Sequence, residues 1–73
     1  MNVKMRSQGQ EKTVQVERDH TVRTGVQQAK EQGLHIPENW VAQFGDTRLL
    51  KSHFFGMMGI KDGDVLEISA AQI

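Results

Sequence analysis

The sequence has 73 residues, and its nine basic and nine acidic side chains cancel. Balanced charge argues against binding nucleic acid by neutralising phosphates, since such proteins carry a basic surplus, and the absence of cysteine excludes disulfides and thiol catalysis. No apolar run approaches the roughly 20 residues of a membrane span, and no leader-like segment opens the chain. We expect one cytoplasmic, monomeric domain over 1–73, with a core of 1–69 and a loose tail over 70–73, that binds neither nucleic acid nor membrane.

Two stretches of alternating polarity at the start of the chain predict a β-hairpin. In 1–6 every second residue is apolar, and in 12–17 Val14 and Val16 repeat the period of two. Gly9 lies among small polar residues between the two stretches and is a turn signal. We therefore expect two strands, 1–6 and 12–17, each with one buried and one solvated face.

The only good helical stretch is 22–32, and Thr21 can cap it by accepting a backbone N–H bond in the first turn. The helix has a narrow apolar stripe, made of Val22, Val26 and Ala29. Gly25 inside a helix costs on the order of 1 kcal/mol relative to Ala. It therefore either permits a close approach to the sheet or leaves the helix weak.

After the helix, Pro37 stops further helix formation and keeps Ile36 extended. Two more strands are predicted over 40–44 and 48–50, joined by a turn at Gly45-Asp46. Segment 51–58 has no clean period, which is typical of a short 3₁₀ turn tucked under a sheet edge.

Within that segment we expect Phe55 and Met58 to pack in the core, while the exposure of Phe54 and Met57 stays open. Soft, adaptable Met57 and Met58 side chains suit a partner surface, and an exposed apolar patch in this segment is interpreted as a binding site.

The last element, 60–69, is a turn followed by a strand. Asp62-Gly63 is a strong turn dipeptide, because Asp can bond the backbone two residues on and Gly accepts positive φ. Beyond it, Leu66 and Ile68 alternate with polar residues and point to the core. Ile60, just before the turn, is predicted to help seal that core.

The order strand, strand, helix, strand, strand, strand resembles the ubiquitin-like β-grasp family. The resemblance rests on four features: the hairpin at Met1, Thr21-Val22 at the helix start, Ile36-Pro37 after the helix, and the pattern Phe55-x-x-Met58-x-Ile60-x-x-x-x-x-Leu66-x-Ile68. It implies an α+β fold with a mixed five-stranded sheet in the order 2-1-5-3-4, packed on one helix, with a short 3₁₀ turn before the last strand.

The C-terminal end differs from that of conjugated ubiquitins and sulfur carriers, which finish in Gly-Gly. This chain finishes Ser69-Ala70-Ala71-Gln72-Ile73, which favours a non-covalent role. The alternatives are a covalent modifier or sulfur carrier whose Gly-Gly is missing, and a domain cut from a longer protein. Segment 60–68 is also similar to small ubiquitin-like proteins of type VII secretion systems, which likewise lack Gly-Gly.

The apolar recognition patch of ubiquitin provides a second difference. The resemblance matches it to Gln8, to Gln43 or Phe44, and to Glu67 and Ser69. At most one of these positions is apolar, which argues against the standard ubiquitin-receptor contact.

Candidate chemistry is sparse. The histidines, His20, His35 and His53, lie in different predicted loops, whereas zinc or nucleophilic chemistry needs convergent ligands or an oriented base. Asp62 and Asp64 lack the rest of a calcium-loop ligand series. We therefore expect no enzymatic activity, no cofactor and no metal.

Partner binding is the remaining class of function. Lys4, Arg6 and Arg48 are predicted on the outer sheet face with Gln43 and Glu67 between them, as a solvated face or as a surface whose arginines pair with a partner's carboxylates. The one Trp is either partly buried or an exposed anchor. We predict a non-catalytic protein–protein interaction module, an adaptor or regulatory subunit, whose partner surface comprises Arg6, Gln43, Arg48, Glu67, Trp40 and Phe54.

Overall fold

The structure, a computed structural model, describes residues 1–71. Its elements are β1 (Asn2–Ser7), β2 (Gln10–Gln15), α1 (Val22–Glu31), β3 (Trp40–Phe44), β4 (Thr47–Leu49), a 3₁₀ turn (Phe55–Met57) and β5 (Val65–Ala70). The sheet order is β2-β1-β5-β3-β4, with β1 and β5 parallel and the other neighbours antiparallel. The predicted β-grasp architecture is confirmed. No helix within 1–71 is long and apolar enough to span a membrane.

Tight turns correct the predicted bounds of two strands. Gln8 and Gly9 both have positive φ, 51° and 79°, as a two-residue I′ turn requires, so β2 begins at Gln10 opposite Ser7 and not at residue 12. Gly45, at φ 59°, likewise makes a two-residue turn that pairs Phe44 with Thr47, so β4 begins one residue before the predicted 48. The apolar pattern identified the strands, and the turns set their registers.

The core lies between the inner face of the sheet and α1. Its buried members are Val3, Met5, Val14, Val16, Val22, Val26, Ala29, Leu34, Ala42, Leu49, Phe55, Ile60, Leu66 and Ile68. The predicted inner faces of both hairpin strands and of β5 are therefore confirmed, as is the role of Ile60. Thr21 caps α1 by accepting a hydrogen bond from the Thr24 N–H at 3.3 Å.

Gly25 allows the helix to approach its neighbours closely. A Cβ at this position would lie 2.6 Å from Cζ of Phe55 and 3.1 Å from Cε of Met5. The close approach suggested by the sequence is therefore real, but its tightest neighbour is the Phe55 ring of the 3₁₀ turn.

The turn before β5 is attached to the start of β1. The Asn2 N–H donates to Oδ1 of Asp62 at 2.5 Å, and the Gly63 N–H donates to the Asn2 carbonyl at 2.7 Å. The Lys61 N–H donates to Oδ2 of Asp64 at 2.7 Å, which closes the turn. Both aspartates thus have structural roles, and they align β5 beside β1.

The predicted loose tail over 70–73 is wrong at its start. Ala70 is the last residue of β5 and pairs with Trp40, and the Ala71 N–H donates to the Asn39 carbonyl at 2.6 Å. The rest of that prediction concerns residues 72–73, which lie outside the described residues.

Gly25→Ala is expected to destabilise the fold, although Gly→Ala inside a helix ordinarily stabilises. The added Cβ would meet the Phe55 ring, and overpacking of this kind costs about 1–3 kcal/mol. Urea unfolding of the variant measures this cost. Gln27→Ala, at an exposed position of α1, is the matched control, and an increase in stability for Gly25→Ala would contradict the close approach.

Candidate functional site

One row of side chains crosses all five strands on the outer face of the sheet. Cross-strand pairs join Glu11 to Arg6, Arg6 to Glu67, Glu67 to Gln43, and Gln43 to Arg48. All of these residues are exposed. The predicted outer-face placement is confirmed, and Glu11 is a member that the sequence analysis missed because it began β2 one residue too late to include it.

Arg6 is the centre of this row and holds a carboxylate on each side. Its Nη1 lies 2.9 Å from Oε1 of Glu67, and its Nη2 lies 3.2 Å from Oε2 of Glu11. The hydrogen bond with Glu11 and the charges of both carboxylates raise the pKa of the Arg6 guanidinium. Within residues 1–71, Lys4 and Arg48 make no ion pair. The charge available to a partner therefore lies at Lys4 and Arg48 more than at Arg6.

The large exposed hydrophobic side chains of residues 1–71 all lie in one segment, 50–57. Leu50 is 60 % exposed, Phe54 43 % and Met57 81 %. Phe55, in the same segment, is fully buried, and Met58 packs partly buried against the core. The expected inward packing of Phe55 and Met58 is confirmed. The exposure of Phe54 and Met57, which the sequence left open, is resolved, since both side chains are exposed to solvent.

Backbone pairing explains why adjacent phenylalanines have opposite environments. Thr21 forms an isolated antiparallel bridge with Phe54. The Phe55 N–H donates to the His20 carbonyl at 3.0 Å, and the Val22 N–H donates to the His53 carbonyl at 2.9 Å. Side chains alternate across extended, paired backbone. Phe54 consequently points away from the core that holds Phe55.

Two grooves border this segment. The first, which we name the Phe54 groove, has a volume of about 310 Å³ and is lined by Ser52, His53, Phe54, Met57 and Met58. The second, the Trp40 groove, has a volume of about 390 Å³ and is lined by Arg23, Trp40, Val41, Arg48, Leu49, Leu50, Lys51 and Ser52. The two grooves meet at Ser52.

Trp40 is half-buried and packs against the core, with Lys51 Nζ 4.6 Å from the centroid of its ring. A cation at this distance from an indole face is favourable and holds both side chains in place. Trp40 is therefore a partly buried residue that forms a groove wall and does not stand free in solvent.

Two of the three histidines, His20 and His53, accept hydrogen bonds from nearby backbone N–H groups. Nδ1 of His20 accepts from the Glu17 N–H at 3.2 Å, and Nδ1 of His53 accepts from the Leu50 N–H at 3.3 Å. In the part of the chain that the structure describes, no three His, Asp or Glu side chains form a group that could hold a metal ion. The arrangement is chemically suited to recognition through shape, charge and apolar contact.

Arg6→Gln is expected to lower the denaturation midpoint more than Lys4→Gln. Both variants remove one cation from the same face of β1, but only Arg6 bridges two carboxylates. The difference should shrink as salt is raised to about 1 M, where exposed charges are screened beyond about 3 Å. Equal denaturation midpoints for the two variants at low salt would contradict the prediction that the two ion pairs of Arg6 stabilise the fold.

Neither a protein-family model nor a curated protein sequence matches this chain. Among solved structures, it is similar to the UBL domain of Plasmodium falciparum Dsk2, with 25 % identity, 97 % of each chain covered and a TM-score of 0.80. It also shares its fold with the ubiquitin of Caldiarchaeum subterraneum, with 20 % identity, 100 % of this chain and 95 % of that chain covered, and a TM-score of 0.75. The link to type VII secretion proteins stays a prediction. Sheet order, helix, 3₁₀ turn and these likenesses together show that the chain has the ubiquitin-like β-grasp fold.

Proposed function

We propose that this chain is a non-catalytic, cytoplasmic interaction module, an adaptor or regulatory subunit that binds another protein without being conjugated to it. The observation that carries the proposal is the gathering of Leu50, Phe54 and Met57 in segment 50–57 as the exposed large hydrophobics of the described chain. Phe54 and Met57 line one groove and Leu50 lines the adjoining one, and exposed apolar surface of this kind is typical of interaction sites. The likeness to a UBL domain supports the same class of function.

The outer row would give the complex its orientation. Arg6 and Glu67 hold each other at 2.9 Å and would present a fixed polar centre. Gln43 and Arg48 are exposed beside them, and the guanidinium of Arg48 suits bidentate pairing with a carboxylate of the partner. Trp40 and Phe54 would add apolar contact, so that charge provides orientation and the two aromatics provide affinity.

The positions matching the recognition patch of ubiquitin support a different docking surface in this chain. Gln8, Gln43, Glu67 and Ser69 are exposed, whereas Phe44, the one apolar candidate, packs partly buried against the core. None of the exposed matching positions is apolar. An apolar contact would therefore have to come from other residues, such as Trp40 and the exposed hydrophobic side chains of segment 50–57.

Partner capture from the native cells is expected to depend on Phe54 and Arg48. Phe54→Ser should weaken capture about tenfold or more, and Phe54→Leu should restore most of it because the apolar contact returns. Arg48→Glu should weaken capture by removing a charge contact, and Lys12→Glu, on the opposite edge strand, is the charge-matched control. Quantitative mass spectrometry of the captured protein provides the measurement, and circular dichroism verifies that each variant is folded.

Two outcomes would contradict this proposal. Undiminished capture by both Phe54→Ser and Arg48→Glu would show that the partner does not bind to the surface that contains these two residues. A ladder of larger species on a denaturing, reducing immunoblot of the native cells would indicate covalent attachment and favour the modifier or sulfur-carrier alternative.

A further inference from the structure

The Trp40 groove has an unbalanced charge in a chain whose net charge is zero. Three cations line it, Arg23, Arg48 and Lys51, and no Asp or Glu of the described residues does. Arg23 and Arg48 are exposed, and neither forms an ion pair within residues 1–71. The groove therefore offers two unneutralised guanidinium groups and one ammonium group at a single surface.

Strand lengths explain why these residues converge. β4 pairs with residues 42–44 of β3, so the first residues of β3, Trp40 and Val41, extend beyond the end of β4. The chain then crosses from β4 to the start of α1, where the Arg23 N–H donates to the Lys51 carbonyl at 3.1 Å. This crossing brings Arg23 of the helix and Lys51 of the loop close to Arg48, at the end of the sheet where β3 extends beyond β4.

The floor and walls between the cations are apolar. Trp40 and Val41 are half-buried, and Leu50 is 60 % exposed. The volume of about 390 Å³ lies at the lower end of the range for ligand clefts, about 300–1,000 Å³. A bound group must therefore satisfy two conditions: it must offer a large apolar side chain to the floor, and it must carry negative charge at the rim.

We propose that the Trp40 groove binds an acidic protein segment carrying one large apolar side chain. That side chain would lie on Trp40 and Leu50, and the flanking carboxylates would pair with Arg23, Arg48 and Lys51. This inference rests on the proposed function, since it names the chemistry of the partner and one groove in which the partner lies.

Two other occupants fit the groove less well. Nucleic acid would use the cations but leave the apolar floor without a matching group, and the chain has no basic surplus to attract it. A second copy would need an exposed apolar side chain flanked by acids. The exposed hydrophobics of residues 1–71 lie in segment 50–57, which contains no Asp or Glu.

Trp40 provides its own reporter, because it is the only Trp and the chain has no Tyr. The probe is a short synthetic peptide of Asp and Glu residues with one central Leu, titrated while Trp emission is followed. We expect a saturable change in Trp40 emission, and the affinity derived from it should fall as the salt concentration rises. A peptide with Ser in place of Leu, and a peptide with Lys in place of the acids, should each bind about fivefold more weakly or worse.

Variants locate the binding. Arg23→Glu and Arg48→Glu should each lower the affinity for the acidic peptide about fivefold or more. Lys12→Glu, the same charge change at the far edge of the sheet, should leave that affinity within about twofold of the native value. Backbone amide shifts in NMR spectra of the peptide-bound chain should centre on 40–41 and 48–52. Circular dichroism again verifies folding of each variant.

The inference is overturned if the acidic peptide leaves Trp40 emission unchanged, if affinity is the same in Arg23→Glu and Arg48→Glu as in the native chain, or if a single-stranded RNA oligonucleotide binds more tightly. Concentration-dependent self-association abolished by Arg23→Glu would overturn it in favour of a second copy. If the peptide fails to bind while partner capture still depends on Phe54, the acidic ligand alone is refuted. If capture is undiminished in both Phe54→Ser and Arg48→Glu, the proposed function is refuted as well.

Discussion

Burial of the Phe55 ring against Gly25 is the contact on which the rest of this molecule depends. It attaches the long connection between β4 and β5 to the start of α1, at a distance that leaves no room for a Cβ. With Phe55 inside, the alternation of side chains on paired backbone directs Phe54 outward. The same attachment brings Lys51 beside Arg23. One core contact thus generates both the exposed apolar segment and the cationic groove beside it.

Charge distribution, more than net charge, distinguishes the two halves of the outer surface. Near β1 and β2 the cation Arg6 is neutralised by the carboxylates of Glu11 and Glu67. Near β4 the cations Arg48 and Lys51 line a groove that has no described acidic residue. A partner would therefore meet the paired Arg6 beside Lys4 on one side, and several cations over an apolar floor on the other.

The fold was predictable because its signals are local. Alternating polarity in both hairpin strands, the Thr21 cap, Pro37 and the Asp62-Gly63 turn each act within a few residues. Together they predict the order of the elements, and the resemblance to the ubiquitin-like β-grasp family implies the order of the strands in the sheet. The strand bounds were less accurate because they depend on two-residue turns. The Gln8-Gly9 turn lacks the Asn-Gly signature, yet it adopts positive φ at both positions.

The candidate site was predictable only in part. The outer row followed from strand order and the period of two, so Arg6, Gln43, Arg48 and Glu67 were placed correctly. The Trp40 groove was not predicted, because it joins residues of α1, β3 and the connection after β4 that are far apart in sequence. Its charge became visible only once Arg23 and Lys51 were side by side.

The sequence by itself determined the strands and the helix, the inner faces of the strands and the helix cap, since periodicity, capping and turn chemistry are properties of neighbouring residues. The order of the strands in the sheet was implied by the resemblance to the ubiquitin-like β-grasp family. Tertiary structure decided which of Phe54 and Phe55 is exposed, which carboxylates neutralise Arg6, and where unpaired cations meet apolar surface. These outcomes depend on the register and lengths of strands distant in sequence, which no local pattern encodes.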